Sequence, residues 1–350
     1  MDEFITEHLE HQHWAVLLFV IGVSLTLLAK FADLVVDYAV VLSQRSGVPK
    51  VIIGATVVSL GTTAPEVAVS VLAAWKGDPG LALGNAVGSI ICDTGLILGA
   101  ACLIRPLSIP FTTANRQGWV QLGSAVLLVL FCVNWMDPLG HYTKGLPGKF
   151  PQWGGFVFLG LLAIYLWLSV KWSAGSTESV AEAGDSEEIE NSDTDAAQTL
   201  IKLLVCVGGV VLSANVVIPA VKILAERVGV PESVIAATMV AFGTSLPELI
   251  TAINAARRGH GDLAIGNIIG ADVLNALFVA GASAVVTQMG LTADPVFFKL
   301  QFPAMLIVLI VFRIGIATSK GTLGRGFGYV LLGTYAVYLG LNIMFGAGGH

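Results

Sequence analysis

Charge is scarce in this sequence. Asp, Glu, Lys and Arg together supply 12% of its 350 residues, about half the share of an ordinary soluble domain. A water-soluble fold would have little with which to cover its surface. Basic character is missing too. The net charge is -6, and eight acidic residues fall between Glu178 and Asp195, without which the balance would be +2. Neither value describes a nucleic-acid-binding surface. The four cysteines, Cys92, Cys102, Cys132 and Cys206, lie in apolar runs without paired or metal-ligand spacing, which excludes a disulfide framework or a cysteine metal site. The start, Met1-Asp2-Glu3-Phe4, lacks the positive residues of a signal peptide, so the first apolar segment is expected to stay in the mature protein. The apolar runs do not alternate with polar residues, which argues against a β-barrel.

What is present is apolar and small. Hydrophobic residues make up 55% of the chain, mean hydropathy is +0.82, and 40 residues are glycine, many inside the apolar runs. Small residues let membrane helices approach closely, and about 20 apolar residues span a bilayer as helix. We expect an all-α membrane protein of ten transmembrane helices, at 14–43, 49–75, 80–104, 119–136, 152–172, 199–226, 231–256, 262–287, 295–314 and 325–346. Residues 173–197, rich in Ser, Glu, Asp and Ala, read as a solvated acidic linker. They lack the ligand spacing and glycine of a calcium loop.

The linker divides the helices five and five, and the two halves resemble each other. A shift of 182 residues, with no gap, lays Gly47-Val48-Pro49 on Gly229-Val230-Pro231 and Ala55-Thr56 on Ala237-Thr238. It also lays Gly61-Thr62-Thr63-Ala64-Pro65-Glu66 on Gly243-Thr244-Ser245-Leu246-Pro247-Glu248, Gly84-Asn85 on Gly266-Asn267, and Gly88 on Gly270. This is a duplication. With five helices per copy, the second must enter the membrane from the opposite side, giving two inverted five-helix repeats, 1–172 and 198–350, with a site expected near the midplane. Placing both termini outside puts 11 Lys and Arg on inner loops and helix ends against 6 on the outer side, the bias expected of cytoplasmic loops. The linker is then cytoplasmic.

Two carboxylates stand out. Glu66 and Glu248 lie inside apolar runs at equivalent points of the repeats, where an ionisable group costs at least about 2.5 kcal/mol. Each follows a mid-helix proline, Pro65 or Pro247, which cannot donate to the carbonyl four residues back. Carbonyls around Ser59–Thr62 and Ala241–Thr244 are thereby partly freed, and Thr62, Thr63, Thr244 and Ser245 add hydroxyls. These are hard oxygen ligands, suited to sodium or calcium. In the next helix of each repeat, Asp93 and Asn275 each follow the Glu by 27 residues. Ser89 lies one turn before Asp93, where the second copy has Ala271. Asp272 faces the edge of such a site or pairs elsewhere. Lys30, Asp33 and Asp37 read as an internal ion pair in the first helix, and His260 as a solvated loop residue.

The paired Gly-Thr-Thr-Ala-Pro-Glu and Gly-Thr-Ser-Leu-Pro-Glu segments, each followed by Gly-Asn-x-x-Gly, resemble the two alpha-repeats of the cation/calcium exchanger superfamily, most of all a prokaryotic sodium/calcium antiporter. The resemblance spans nearly the whole chain and is strongest at 47–99 and 229–281. It implies alternating access at a central group of cation sites in a prokaryotic inner membrane. Glu66 and Glu248, with the carbonyls of Thr62 and Thr244, would bind calcium. Thr63, Ser245, Ser89 and the carbonyls near Ser59 and Ala241 would bind sodium, and Asp93 and Asn275 would fill the remaining pair of positions. The family's Gly-Ser-Asn reads Gly88-Ser89-Ile90 in one copy and Gly270-Ala271-Asp272 in the other, which implies a weaker or rearranged sodium site where Ala271 has no hydroxyl.

The resemblance implies no enzyme and no cofactor, with transported Ca2+ and Na+, the lipid bilayer as surroundings, no nucleic acid and a monomeric chain. The alternative is a calcium/proton exchanger of the same fold. An intramembrane aspartyl protease would need a symmetric Asp pair, and Asp93 has Asn275 as its counterpart. A passive channel would show flux without any counter-ion.

Overall fold

The structure is a computed structural model that describes residues 8–10, 12–109, 111–173, 195–227, 243–319 and 321–347. Helix dominates. In chain order the longer helices are α1 (Trp14–Ser46), α2 (Lys50–Thr62), α3 (Ala64–Trp75), α4 (Pro79–Ile104), α5 (Phe111–Cys132), α6 (Gln152–Ser173), α7 (Ala196–Arg227), α8 (Leu246–Arg257), α9 (Gly261–Val285), α10 (Phe297–Thr318) and α11 (Arg325–Ala347). The expected start of the seventh helix at 231, and most of the acidic linker, lie outside the described residues.

Among the described residues, α1, α4, α6, α7, α9, α10 and α11 are each long and apolar enough to cross a bilayer. Helices α2 and α3, bent by 46° at their junction, together make an eighth such span. Large apolar side chains such as Phe19 (72% exposed) and Val170 (67%) point outward. A surface this apolar requires a nonaqueous surround, so the protein is a multi-pass integral membrane protein.

The fourth expected helix needs correction. It runs Phe111–Cys132, beginning eight residues before the expected position 119 and ending four before 136. Its first half carries Asn115, Arg116, Gln117 and Gln121, which resembles a loop in sequence. In the fold Gln117 and Gln121 are buried. Gln117 donates to Ser169 of α6 at 3.2 Å, and Arg313 of α10 donates to the Asn115 side chain at 2.6 Å while lying over Trp119. Each of these side chains finds a partner on a neighbouring helix, which lets α5 carry them into the interior.

Two short antiparallel strand pairs tie the halves together: β1 (Leu107–Ser108) pairs with β4 (Thr322–Leu323), and β2 (Gly148–Phe150) with β3 (Leu291–Ala293). The exchange is reciprocal, since each strand that follows a site-bearing helix pairs with a strand of the other half.

The centre of the fold is the crossing of α9 over α2. Nearly every residue of the first half of α9 is buried. The approach is backbone to backbone. A Cβ on Gly54 would lie 2.6 Å from the Leu263 carbonyl, one on Gly266 would overlap the Val51 carbonyl, and one on Gly270 would overlap the Ala55 carbonyl. Only hydrogen fits at these three positions.

Around one end of this core the charges are arranged differently from expectation. Asp37 takes the guanidinium of Arg258, from the α8–α9 loop, which also donates to the Asp33 carbonyl at 2.9 Å. Lys30 is not the partner, because helix α1 presents Asp37 to α8. His260 is not simply solvated either. Its Nδ1 lies 3.3 Å from Lys50 Nζ. Burial, with the positive charges of Lys50 and Arg258, pushes its pKa down from 6.5 to about 4.

Two predictions follow from this packing. Gly270→Val should cost about 1–3 kcal/mol or more through overpacking, read as a lower melting temperature in detergent. Gly22→Ala, where nothing lies within 4 Å, should leave it unchanged. For His260, the folded state refuses a proton that the unfolded state accepts, so stability should be full above pH 6.5 and fall as pH drops towards 4. A His260→Gln variant should show a flatter decline across that window, and identical slopes would remove His260 as the cause.

Candidate cation site

Each carboxylate sits in the first turn of a helix, and that of Glu66 follows the 46° bend between α2 and α3. Pro65 and Pro247 sit in the first turns of α3 and α8, where the missing N–H breaks no helical bond. The junction residues Thr63 (φ -79°, ψ 0°) and Ser245 (φ -84°, ψ 10°) adopt nearly the same turn. Glu66 and Glu248 therefore occupy the first turn of a new helix, where the positive end of the macrodipole favours an anion. Both are essentially fully buried.

The halves meet at matched atoms. Thr63 Oγ1 donates to Glu248 Oε1 at 3.3 Å, and Ser245 Oγ donates to Glu66 Oε1 at 3.5 Å. The 182-residue shift turns one contact into the other. Asn275 Nδ2 donates to Asp93 Oδ2 at 3.4 Å, and that pair maps onto itself. These are long hydrogen bonds. They leave Oε2 of both glutamates, Oδ1 of Asp93, Oδ1 of Asn275 and Oγ of Ser89 buried with no partner. Unpaired buried acceptors are costly, and a cation is the species that satisfies several at once.

Asp93 and Asn275 share another feature. Each lies in a wider, π-type turn, Cys92–Ile97 in α4 and Asn275–Val279 in α9. Such turns recur at functional sites because they leave backbone carbonyls less engaged. The sequence carries no visible signal for them.

The remaining site candidates fall as follows. Thr62 and Ser59 are buried, but the Ser59 carbonyl accepts from the Thr63 N–H at 2.9 Å and the Thr62 hydroxyl at 3.4 Å. Thr244 is half-buried and donates to Asn85 Oδ1 at 3.3 Å. Ala241 lies outside the described residues. Asp272 pairs away from the glutamates, accepting from Thr94 and from Gln121 Nε2 (2.5 Å), with Oδ1 unpartnered. Among the described residues no three His, Cys, Asp or Glu side chains group as a metal site.

Sequence reasoning missed three side chains. Asn85 and Asn267 were visible as a matched pair in the duplication, but nothing marked Asn85 as bonded to the Glu66 backbone or Asn267 as buried without a partner. Gln121 lay inside the expected helix 119–136, with nothing to show that it would meet Asp272.

The sodium/calcium exchanger protein model matches residues 16–171 and 199–344. The chain belongs to this family. It is 31% identical over 323 residues to inner membrane protein YrbG of Escherichia coli (strain K12), covering 91% of this chain and 94% of the relative. It is 29% identical over 337 residues to the sodium/calcium exchanger MaX1 of Methanosarcina acetivorans, covering 90% and 95%. Its fold matches the structure of the sodium-calcium exchanger NCX_Mj soaked with 10 mM Na+ and zero Ca2+, with TM-score 0.75, 27% identity, and coverage of 94% of this chain and 99% of that one. Membership in this exchanger family makes the chain a transporter.

The Asp272 cluster gives a stability test. Gln121→Leu should strip a donor from a buried carboxylate and cost about 1–3 kcal/mol. Replacing Gln121 and Asp272 together by leucine should be milder than the single change, because no orphaned charge remains. A double variant at least as unstable as the single one would show that Gln121 does not serve Asp272.

Proposed function

We propose that the protein exchanges sodium for calcium across the membrane by alternating access at the Glu66–Glu248 site. The observation that carries this reading is the reciprocal pair of cross-repeat contacts, Thr63 to Glu248 and Ser245 to Glu66. Each repeat presents its carboxylate to the other's hydroxyl while keeping one oxygen free. In this reading the architecture is ten spans in two inverted repeats, 1–172 and 198–350, joined by the acidic linker 173–197. Both termini lie outside a prokaryotic inner membrane.

The mechanism follows from charge. Two carboxylates enclosed in a low-dielectric interior repel each other, and an empty site resists closing. Calcium bound to Glu66 and Glu248, with the carbonyls of Thr62 and Thr244, relieves that penalty. Several sodium ions relieve it equally, using Thr63, Ser245, Ser89, the carbonyls of Ser59 and Ala241, and the Asp93–Asn275 pair. Because both ions need the same glutamates, a full set of one excludes the other. Only a neutralised site crosses, so the flow of one ion is tied to the return of the other. If the cycle moves one net charge, a potential of 100 mV biases it by about 2.3 kcal/mol.

The test is calcium-45 uptake into proteoliposomes loaded with sodium. Uptake should require internal sodium and fall to the protein-free background in Glu66→Gln. Uptake driven only by a pH gradient would replace this reading with calcium/proton exchange on the same fold. Calcium flux under neither gradient would reject calcium as the cargo.

A further inference from the structure

Asn85 and Asn267 are equivalent under the 182-residue shift, and both are buried. Their surroundings differ completely. Asn85 is fully engaged: Nδ2 donates to the Glu66 carbonyl at 3.4 Å and to Ser70 Oγ at 2.9 Å, and Oδ1 accepts from Thr244 Oγ1 at 3.3 Å. One amide thus holds the backbone of one glutamate and the hydroxyl of a site residue from the opposite repeat. Asn267 has neither side-chain atom partnered, although it is completely enclosed. Equivalents of two of the three partners exist. Glu248 corresponds to Glu66 and Thr62 to Thr244, yet the Thr62 hydroxyl lies between the Glu248 carboxylate and the Ser59 carbonyl (3.4 Å) and makes no bond to Asn267. Ala252 stands where Ser70 would, so one partner is missing in the second repeat.

A buried primary amide with every donor and acceptor idle is unfavourable. In a protein of two like halves, the other half shows what the idle amide can reach. We propose that Asn85 and Asn267 are alternating positioning residues, each fixing a site glutamate and the opposite repeat's threonine in one of the two access states. This rests on the alternating-access reading given above. In the state described here Asn85 is engaged, holding the Glu66 backbone and aiming Thr244. In the opposite state Asn267 takes the Glu248 carbonyl and the Thr62 hydroxyl, and Asn85 releases Thr244. The engaged amide stabilises its own state, so the two residues bias the equilibrium in opposite directions. With Ala252 in place of Ser70, Asn267 makes one bond fewer, which tilts the balance towards the state held by Asn85.

The experiment uses the full chain carrying spin labels at Phe19→Cys on α1 and Trp153→Cys on α6. Both positions are exposed, whereas the native cysteines are buried. Distance distributions are measured without ions, alongside the half-saturating calcium concentration on each side of the membrane. Asn85→Ala should shift the population ratio away from the present state by about two- to tenfold, the worth of one or two neutral hydrogen bonds. Asn267→Ala should shift it towards that state, and the double variant should return close to wild type. Each single variant should raise half-saturating calcium on one side only, and on opposite sides. Should Asn85→Ala fail to fold, Asn267→Ala still decides, since it loses no bond in this state. Shifts in the same direction, or lower thermal stability with unchanged distributions, would overturn the proposal and leave simple packing. The label distances do not depend on the ion, so a failure of sodium/calcium exchange would appear in the flux assay alone.

Discussion

The structure depends on keeping two carboxylates, Glu66 and Glu248, out of water with one oxygen each unpaired. Charge in such a place is expensive, and several features of the fold answer that cost. The prolines before each glutamate start a new helix, so the carboxylate meets the positive end of a helix dipole. A hydroxyl from the opposite repeat supplies one hydrogen bond to each. What remains unsatisfied is of the kind a hard cation satisfies. A site finished by protein donors alone would have no reason to bind an ion.

Bringing two repeats to such close quarters requires bare backbone. The crossing of α9 on α2 is made by Gly54, Gly266 and Gly270 against carbonyls of the opposing helix. In a bilayer the hydrophobic effect does not press helices together, so close van der Waals contact has to do so. The same crossing carries Asn267 and Asp272 towards the centre. Packing and chemistry therefore share one helix, and a change that loosens the glycine contact disturbs the site as well.

Likeness between the halves is the plan, and the departures from it are informative. Ser89 has Ala271 as its counterpart, Asp93 has Asn275, Ser70 has Ala252, and the aspartate at 272 has Ile90. The first repeat is richer in donors near the site. The second contributes a carboxylate, Asp272, held by Thr94 and Gln121 from the first. Each repeat thus completes groups that the other leaves open, as the two strand pairs do at the edges of the bundle.

The sequence by itself determined the class of protein, the duplication, the position of the break before Glu66, and most helix boundaries. These are local properties: runs of apolar residues, a missing N–H at proline, and repeated motifs at a fixed shift. The start of α5 was hidden because Asn115, Arg116 and Gln117 look like loop residues until the partners of Asn115 and Gln117 are known. Tertiary structure alone decided that Asp272 pairs with Thr94 and Gln121, and that Asp37 pairs with Arg258 instead of Lys30. It also decided that Asn85 is engaged while Asn267 is not. A hydrogen bond between residues 151 to 221 positions apart depends on how the helices cross and rotate. That geometry is set by packing between the halves, which no single stretch of chain encodes.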